Sequence, residues 1–156
     1  MSRPGTQSDR IARFEAECRR RGLALTIQRR AVFEELLERR DHPTADQVYE
    51  TLVPRLPGLS RTTVYRVLET LVDAGFARRV QHTGAVVRFD PVTERHHHLV
   101  CEACGRLVDL DDTAVLRVPI PNAQVKGFRI RDYSISFTGI CAECRKSGTG
   151  RGGEEL

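Results

Sequence analysis

The chain has 156 residues, enough for one ordinary domain or two small ones. Its 40% apolar and 29% charged residues exclude a disordered composition, and with 6% aromatics and no Trp its core must rest mainly on Leu, Val and Ile. Residues 1–89 carry 16 Arg against 11 Asp and Glu, a net of +5, while residues 90–156 carry a net of −1, so the first half suits an acidic partner.

In chain order, the opening MSRPGTQSDR lacks the apolar core of a secretory signal, and no stretch approaches the ~18 apolar residues of a membrane span. A cytoplasmic protein is expected, where disulfides are rare, so the five cysteines need another role. Residues 8–21 read as a helix ended by Gly22. Thr26 can N-cap a helix through Arg39, with Ala31, Val32, Leu36 and Leu37 at helical spacing. His42-Pro43 breaks it. Thr44 caps a third helix carrying Ala45, Val48, Tyr49 and Leu52, and residues 54–59 form a loop. Ser60 opens a fourth helix whose apolar face is Val64, Val67, Leu68, Leu71 and Val72, with Gly75 as its stop. Two strand candidates follow, Ala77–Gln81 and Ala85–Phe89, around His82-Thr83-Gly84.

Helices followed by a two-stranded wing predict a winged helix-turn-helix over residues 1–89, its last helix entering the major groove of double-stranded DNA. On the outer face of that helix, Arg66 can grip a guanine edge or a phosphate, and Tyr65 can meet a thymine methyl or a phosphate. Arg61, Thr62 and Thr63 lie near the helix N-terminus, where a phosphate is favoured. Arg19 and Arg20, before Gly22, are further candidate contacts to the backbone or minor groove.

The second half has different chemistry. Cys101 and Cys104 form one C-x-x-C knuckle and Cys141 and Cys144 another, with 36 residues between them. Four thiolates can close a tetrahedral sphere that favours zinc, and a fully cysteine-ligated zinc is structural. In His96-His97-His98-Leu99-Val100-Cys101, a strand puts His96 and His98 on one face and His97 on the other. Asp90 and Asp109 flank this imidazole clip, a donor set suited to iron, manganese or zinc. The polar stretch from Asp90 to Arg95 reads as a hinge, residues 96–146 as a small α/β domain, and the Gly-rich residues 147–156 as a disordered tail. The fold class is α+β. No spare acid/base pair beyond the metal ligands points to an enzyme. A small metal-dependent hydrolase and a zinc protein that binds a protein partner are the alternatives.

The segments LTIQRRAVFEEL, HPTADQVYETL, LSRTTVYRVLETL and RFD, with HHHLVCEACG and the later CAEC, carry a resemblance to the ferric uptake regulator family of bacterial metal-dependent repressors. It spans residues 8–146. The resemblance implies a homodimer, with an N-terminal winged helix hinged to a C-terminal dimerisation domain, and a structural Zn2+ on the four cysteines. It implies a second, regulatory metal on His42, Asp90, His96, His98 and Asp109, with His42 as the ligand that ties the DNA-binding domain to the metal. Asp at both carboxylate positions resembles the peroxide-sensing members, with Fe2+ or Mn2+ as the regulatory ion. Control by iron supply is the alternative. Two departures stand out. Arg95 and Tyr133 occupy positions where many members have histidines of an extra site, which is expected to be absent here. The prolines Pro119 and Pro121 predict that the helix between the knuckles is truncated or lost.

Overall fold

A computed structural model describes residues 6–80, 86–94, 96–110, 124–125, 127–129, 133 and 135–149. The chain packs as two compact units, residues 1–93 and 94–156. The first holds helices α1 (Gln7–Arg20), α2 (Ile27–Glu38), α3 (Ala45–Leu52) and α4 (Arg61–Asp73), then strands β1 (Arg78–Val80) and β2 (Arg88–Asp90). The second holds β3 (His97–Cys101), β4 (Leu107–Leu110), β5 (Gln124–Val125), β6 (Phe128–Arg129), β7 (Ser136–Gly139) and α5 (Ala142–Ser147).

Each helix of the first unit starts at a hydroxyl cap. The side chains of Thr6, Thr26, Thr44 and Ser60 accept from the backbone N–H groups of Asp9, Arg29, Gln47 and Thr63. At Thr6 and Thr44 the third helical residue, Asp9 or Gln47, reaches back to the cap and completes a capping box. The Thr6 box explains why α1 begins at Gln7, ahead of the apolar residues that mark it in sequence.

The apolar faces of the four helices meet in one core. Phe14, Val32, Phe33, Leu36, Val48, Val64, Leu68 and Leu71 are all essentially buried. Phe14, Phe33 and Phe76 form a tilted and edge-on trio with ring centroids 4.8, 5.3 and 5.7 Å apart, a favoured arrangement for aromatic quadrupoles. Leu59, in the turn between α3 and α4, is buried in the same core and fixes the helix-turn-helix angle. Strands β1 and β2 pair antiparallel as the wing, with Arg79 opposite Phe89. Arg79 also forms an ion pair with Glu69 of α4, so the wing is tied to that helix.

The second strand of the wing reaches back to the α2–α3 turn. Thr44 forms a bridge with Arg88, the N–H of Phe89 donates to the Pro43 carbonyl at 2.9 Å, and the Arg88 guanidinium donates to the His42 carbonyl at 3.0 Å. This clamp holds His42 at φ +50°, a left-handed conformation uncommon outside glycine.

In the second unit β3 is central, antiparallel to β4 and parallel to β7. Leu99 stands opposite both Val108 and Phe137, so these three make an apolar stripe across one face, each 42% exposed. Between the knuckles, residues 111–123 and with them Pro119 and Pro121 lie outside the described residues; Gln124–Val125 pairs with Phe128–Arg129 in a short hairpin. The wing loop at residues 81–85 and the tail beyond Thr149 lie outside them too. Ser147, read from sequence as the start of the tail, instead ends α5.

Candidate metal centres and nucleic-acid interface

The two cysteine knuckles come together at one end of the central sheet. Cys101 ends β3, and Gly105, at φ +69°, turns the chain so that its N–H donates to the Cys101 carbonyl at 2.8 Å. Cys141 is the N-cap residue of α5 and Cys144 sits in its first turn. All four sulfurs lie within 4.8 Å of one another, with Cys104 and Cys141 Sγ 3.9 Å apart. A tetrahedral zinc with bonds of ~2.3 Å spaces its sulfurs ~3.8 Å apart, so the four residues fit such an ion.

Electrostatics point the same way. The backbone N–H of Cys141 donates to Cys101 Sγ at 3.3 Å, and with the N–H of Cys104 it holds the Cys101 thiol down to about 6, favouring the metal-binding thiolate. The sulfurs of Cys141 and Cys104 push the Cys144 thiol up to about 12. Four sulfurs this close cannot all ionise without a cation among them. Arg106, between the first knuckle and β4, pairs with Glu143 of the second at 3.0 Å.

On the same sheet a second donor set converges. Asp109 on β4 stands directly opposite His98 on β3, so both side chains share a face. His96 Nε2 lies 3.0 Å from His98 Nε2 and 3.4 Å from Asp109 Oδ1, and His98 Nε2 lies 3.8 Å from that oxygen. His96 Nδ1 is 2.9 Å from the Glu94 carbonyl, which only a protonated Nδ1 can satisfy. That bond leaves Nε2 as a lone-pair donor aimed at its neighbours, the tautomer a metal requires. His97 turns to the other face, where its Nδ1 accepts from the Ile135 N–H at 3.2 Å and its ring lies 5.9 Å from that of Tyr133.

The first unit contributes a separate pair. His42 and Asp90 are almost wholly buried, with His42 Nε2 3.7 Å from Asp90 Oδ2. The other Asp90 oxygen accepts from the Val92 N–H at 2.7 Å. Both residues are held through β2: Asp90 ends it, and His42 is clamped to it through Arg88 and Phe89. A buried imidazole beside a buried carboxylate suits a shared cation, because each pure charge alone is costly to bury.

On α4 the predicted DNA residues divide. Thr62, Tyr65 and Arg66 are exposed on the outer face. Among the described residues the Arg66 guanidinium makes no hydrogen bond or ion pair. Thr63 is engaged at the cap, its hydroxyl 2.8 Å from that of Ser60. Arg61 is engaged too: it pairs with Asp46, lies 3.9 Å from Glu50 and stacks 4.6 Å above the Tyr49 ring, all on α3. On α1 Arg20 forms two hydrogen bonds to Glu17, while Arg19 is exposed beside it.

Residues 20–138 match the Ferric uptake regulator family. The chain belongs to the ferric uptake regulator family. It is 36% identical over 125 residues to the peroxide operon regulator of Bacillus subtilis, covering 80% of this chain and 86% of that one. It is 32% identical over 133 residues to the peroxide-responsive repressor PerR of Staphylococcus epidermidis, covering 85% and 89%. Its fold matches the Helicobacter pylori ferric uptake regulator Fur, whose structure reveals three functional metal binding sites, with a TM-score of 0.74 over 93% of this chain and 97% of that one at 20% identity.

In this family member, sequence reasoning missed three features that shape the sites. The Glu94 carbonyl that orients His96 is a backbone group, invisible in side-chain patterns. The clamp of β2 on the His42 turn joins residues 46 apart in sequence, and nothing local announces it. Helix α5, which carries the second knuckle, is only six residues long, too short for a periodic signal. Tyr133, at the position of an extra-site histidine in many members, faces His97, and Arg95 lies outside the described residues. No helix among the described residues is long and apolar enough to cross a membrane.

Proposed function

We propose that this protein is a metal-dependent transcriptional repressor that binds operator DNA as a homodimer and releases it when peroxide damages its regulatory site. The observation that carries the reading is the donor set: two imidazoles and a carboxylate converge on one face of the second unit, and a buried His–Asp pair stands ready in the first. The names of the peroxide-responsive relatives support the signal.

Four roles follow. Cys101, Cys104, Cys141 and Cys144 hold a structural Zn2+. His42, Asp90, His96, His98 and Asp109 hold one regulatory Fe2+ or Mn2+, and its affinity for a single arrangement of the two units shifts the population toward the DNA-binding form. Thr62, Tyr65 and Arg66 read the operator from α4, with Arg19 and Arg20 as backbone contacts. The Leu99–Val108–Phe137 stripe, apolar and exposed, is the surface through which two copies associate. The protein acts as a regulator, not an enzyme, and works in the cytoplasm.

An Fe2+ held by these residues would supply the electron that reduces peroxide and leaves a strong oxidant beside the ligands. The family resemblance marks His42 and His96 as the rings that would be oxidised, and an oxidised ring is a poorer ligand. The Glu94 carbonyl keeps His96 turned toward the metal, and the β2 clamp does the same for His42. The test is mass spectrometry of iron-loaded and manganese-loaded protein after mild peroxide, beside a DNA-binding assay. One added oxygen atom on His42 or His96, with iron only and with loss of DNA binding, supports the reading. If neither histidine changes while DNA binding follows iron supply, control by iron takes its place.

A further inference from the structure

Arg61 was expected from sequence to meet a phosphate, and its surroundings argue for another task. It is the first residue of α4, beside the unpaired N–H groups and the positive end of the helix dipole, which together attract phosphate. Asp46 and Glu50 lie one turn apart on α3 and face that same end. Their carboxylates oppose the attraction. The Arg61 guanidinium pairs with Asp46, lies 3.9 Å from Glu50 and is laid over Tyr49. A planar delocalised cation suits the stack and both pairs at once. Arg61, Asp46 and Glu50 are half exposed, and such pairs add little to stability. Their effect is on the surface field at the tip of α4.

We propose that Arg61 is a positioning residue that serves DNA binding through α3: it screens Asp46 and Glu50 beside the tip of α4, and it does not itself contact the nucleic acid. The proposal rests on α4 being the DNA-reading helix.

The test uses full-length manganese-loaded protein and a duplex selected by the parent protein from a random-sequence library. R61A should weaken binding about tenfold, the scale of one charged contact. Removing the carboxylates as well, in R61A/D46N/E50Q, should restore affinity to within about threefold of the parent. D46N/E50Q with Arg61 intact should change affinity by no more than about threefold, because the charges are already screened. R66A should not be rescued by the same pair of changes, and melting temperatures should match throughout. A triple variant as weak as R61A overturns the proposal, because a lost phosphate contact or a lost packing contact is not restored by neutralising α3. R61A binding as tightly as the parent overturns it as well. If the library yields no bound duplex, the DNA reading itself falls, and the proposal with it.

Discussion

Replacing Cys101 with Ser should unfold the second unit and leave the first intact. Among the described residues the buried apolar side chains of the second unit are Cys101, Leu107 and Cys144. Each fully buried side chain contributes ~1.5–3 kcal/mol. Ordering each residue's backbone costs ~1–2 kcal/mol. Those three side chains offset only a handful of ordered residues in a sheet whose middle strand alone is five residues long. On the proposed reading metal supplies the balance, since a structural zinc contributes ~10–16 kcal/mol to the folding of small domains. One ligand in four is then worth ~3–4 kcal/mol, or ~100- to 1,000-fold in zinc affinity. Cys101 is the ligand whose loss should matter most, because backbone N–H groups already hold it as the thiolate. The assay is zinc release to a chromophoric chelator, together with calorimetric unfolding. The parent should show two transitions and Cys101→Ser only that of the first unit, whose core of Phe14, Phe33 and Leu68 is independent of metal. A variant that keeps its zinc and both transitions would refute the argument that metal supplies what this small core lacks.

Three further outcomes follow from the same geometry. Arg66→Ala or Tyr65→Ala should weaken specific DNA binding by ~1–3 kcal/mol, with metal content unchanged; equal affinity across a salt series would remove α4 as the reader. His42→Ala should abolish metal-stimulated DNA binding yet retain cysteine-bound zinc, as measured by elemental analysis beside a binding titration. Zinc should be released as pH falls, because protons compete for the four thiolates, and the Cys101 sulfur, held down to about 6 by backbone N–H groups, should be the last of them to protonate. The Cys101 contribution is full above the ordinary thiol value and is lost as pH falls through about 6; zinc retention independent of pH, read with a chromophoric chelator, removes this coupling.

The first unit was legible because its helices announce themselves locally. Thr26, Thr44 and Ser60 each precede an apolar run and each caps the expected helix. The Thr6 cap was overlooked because the residues after it, Gln7 to Arg10, are polar and carry no apolar period of their own. The wing strands came out shorter than expected, Arg78–Val80 and Arg88–Asp90. Asp90, taken from sequence as the start of a polar hinge, is instead the buried end of β2, because the pairing with Arg78 extends the ladder to it.

The sites were legible where chemistry is written into spacing, and obscure where it depends on distant backbone. Two C-x-x-C knuckles and two histidines on alternate strand positions state their geometry in the sequence, and Asp109 joins them through a register that pairs it with His98. Arg61 illustrates the opposite case. From sequence it is one more arginine at a helix N-terminus, a natural phosphate ligand. Its actual partners lie fifteen and eleven residues away on α3, and only the packing of α3 against α4 brings them together. His42 is obscure for a related reason. A histidine before proline reads as a helix stop, yet α2 already ends at Glu38 with Arg39 as its cap, and His42 lies in the turn beyond. The same residue, held at a positive φ by the clamp from β2, sets its imidazole beside Asp90. A residue of the α2–α3 turn thus meets the residue that ends β2. A ligand gripping both would brace the wing against the helix-turn-helix from within the first unit, before any contribution from the second.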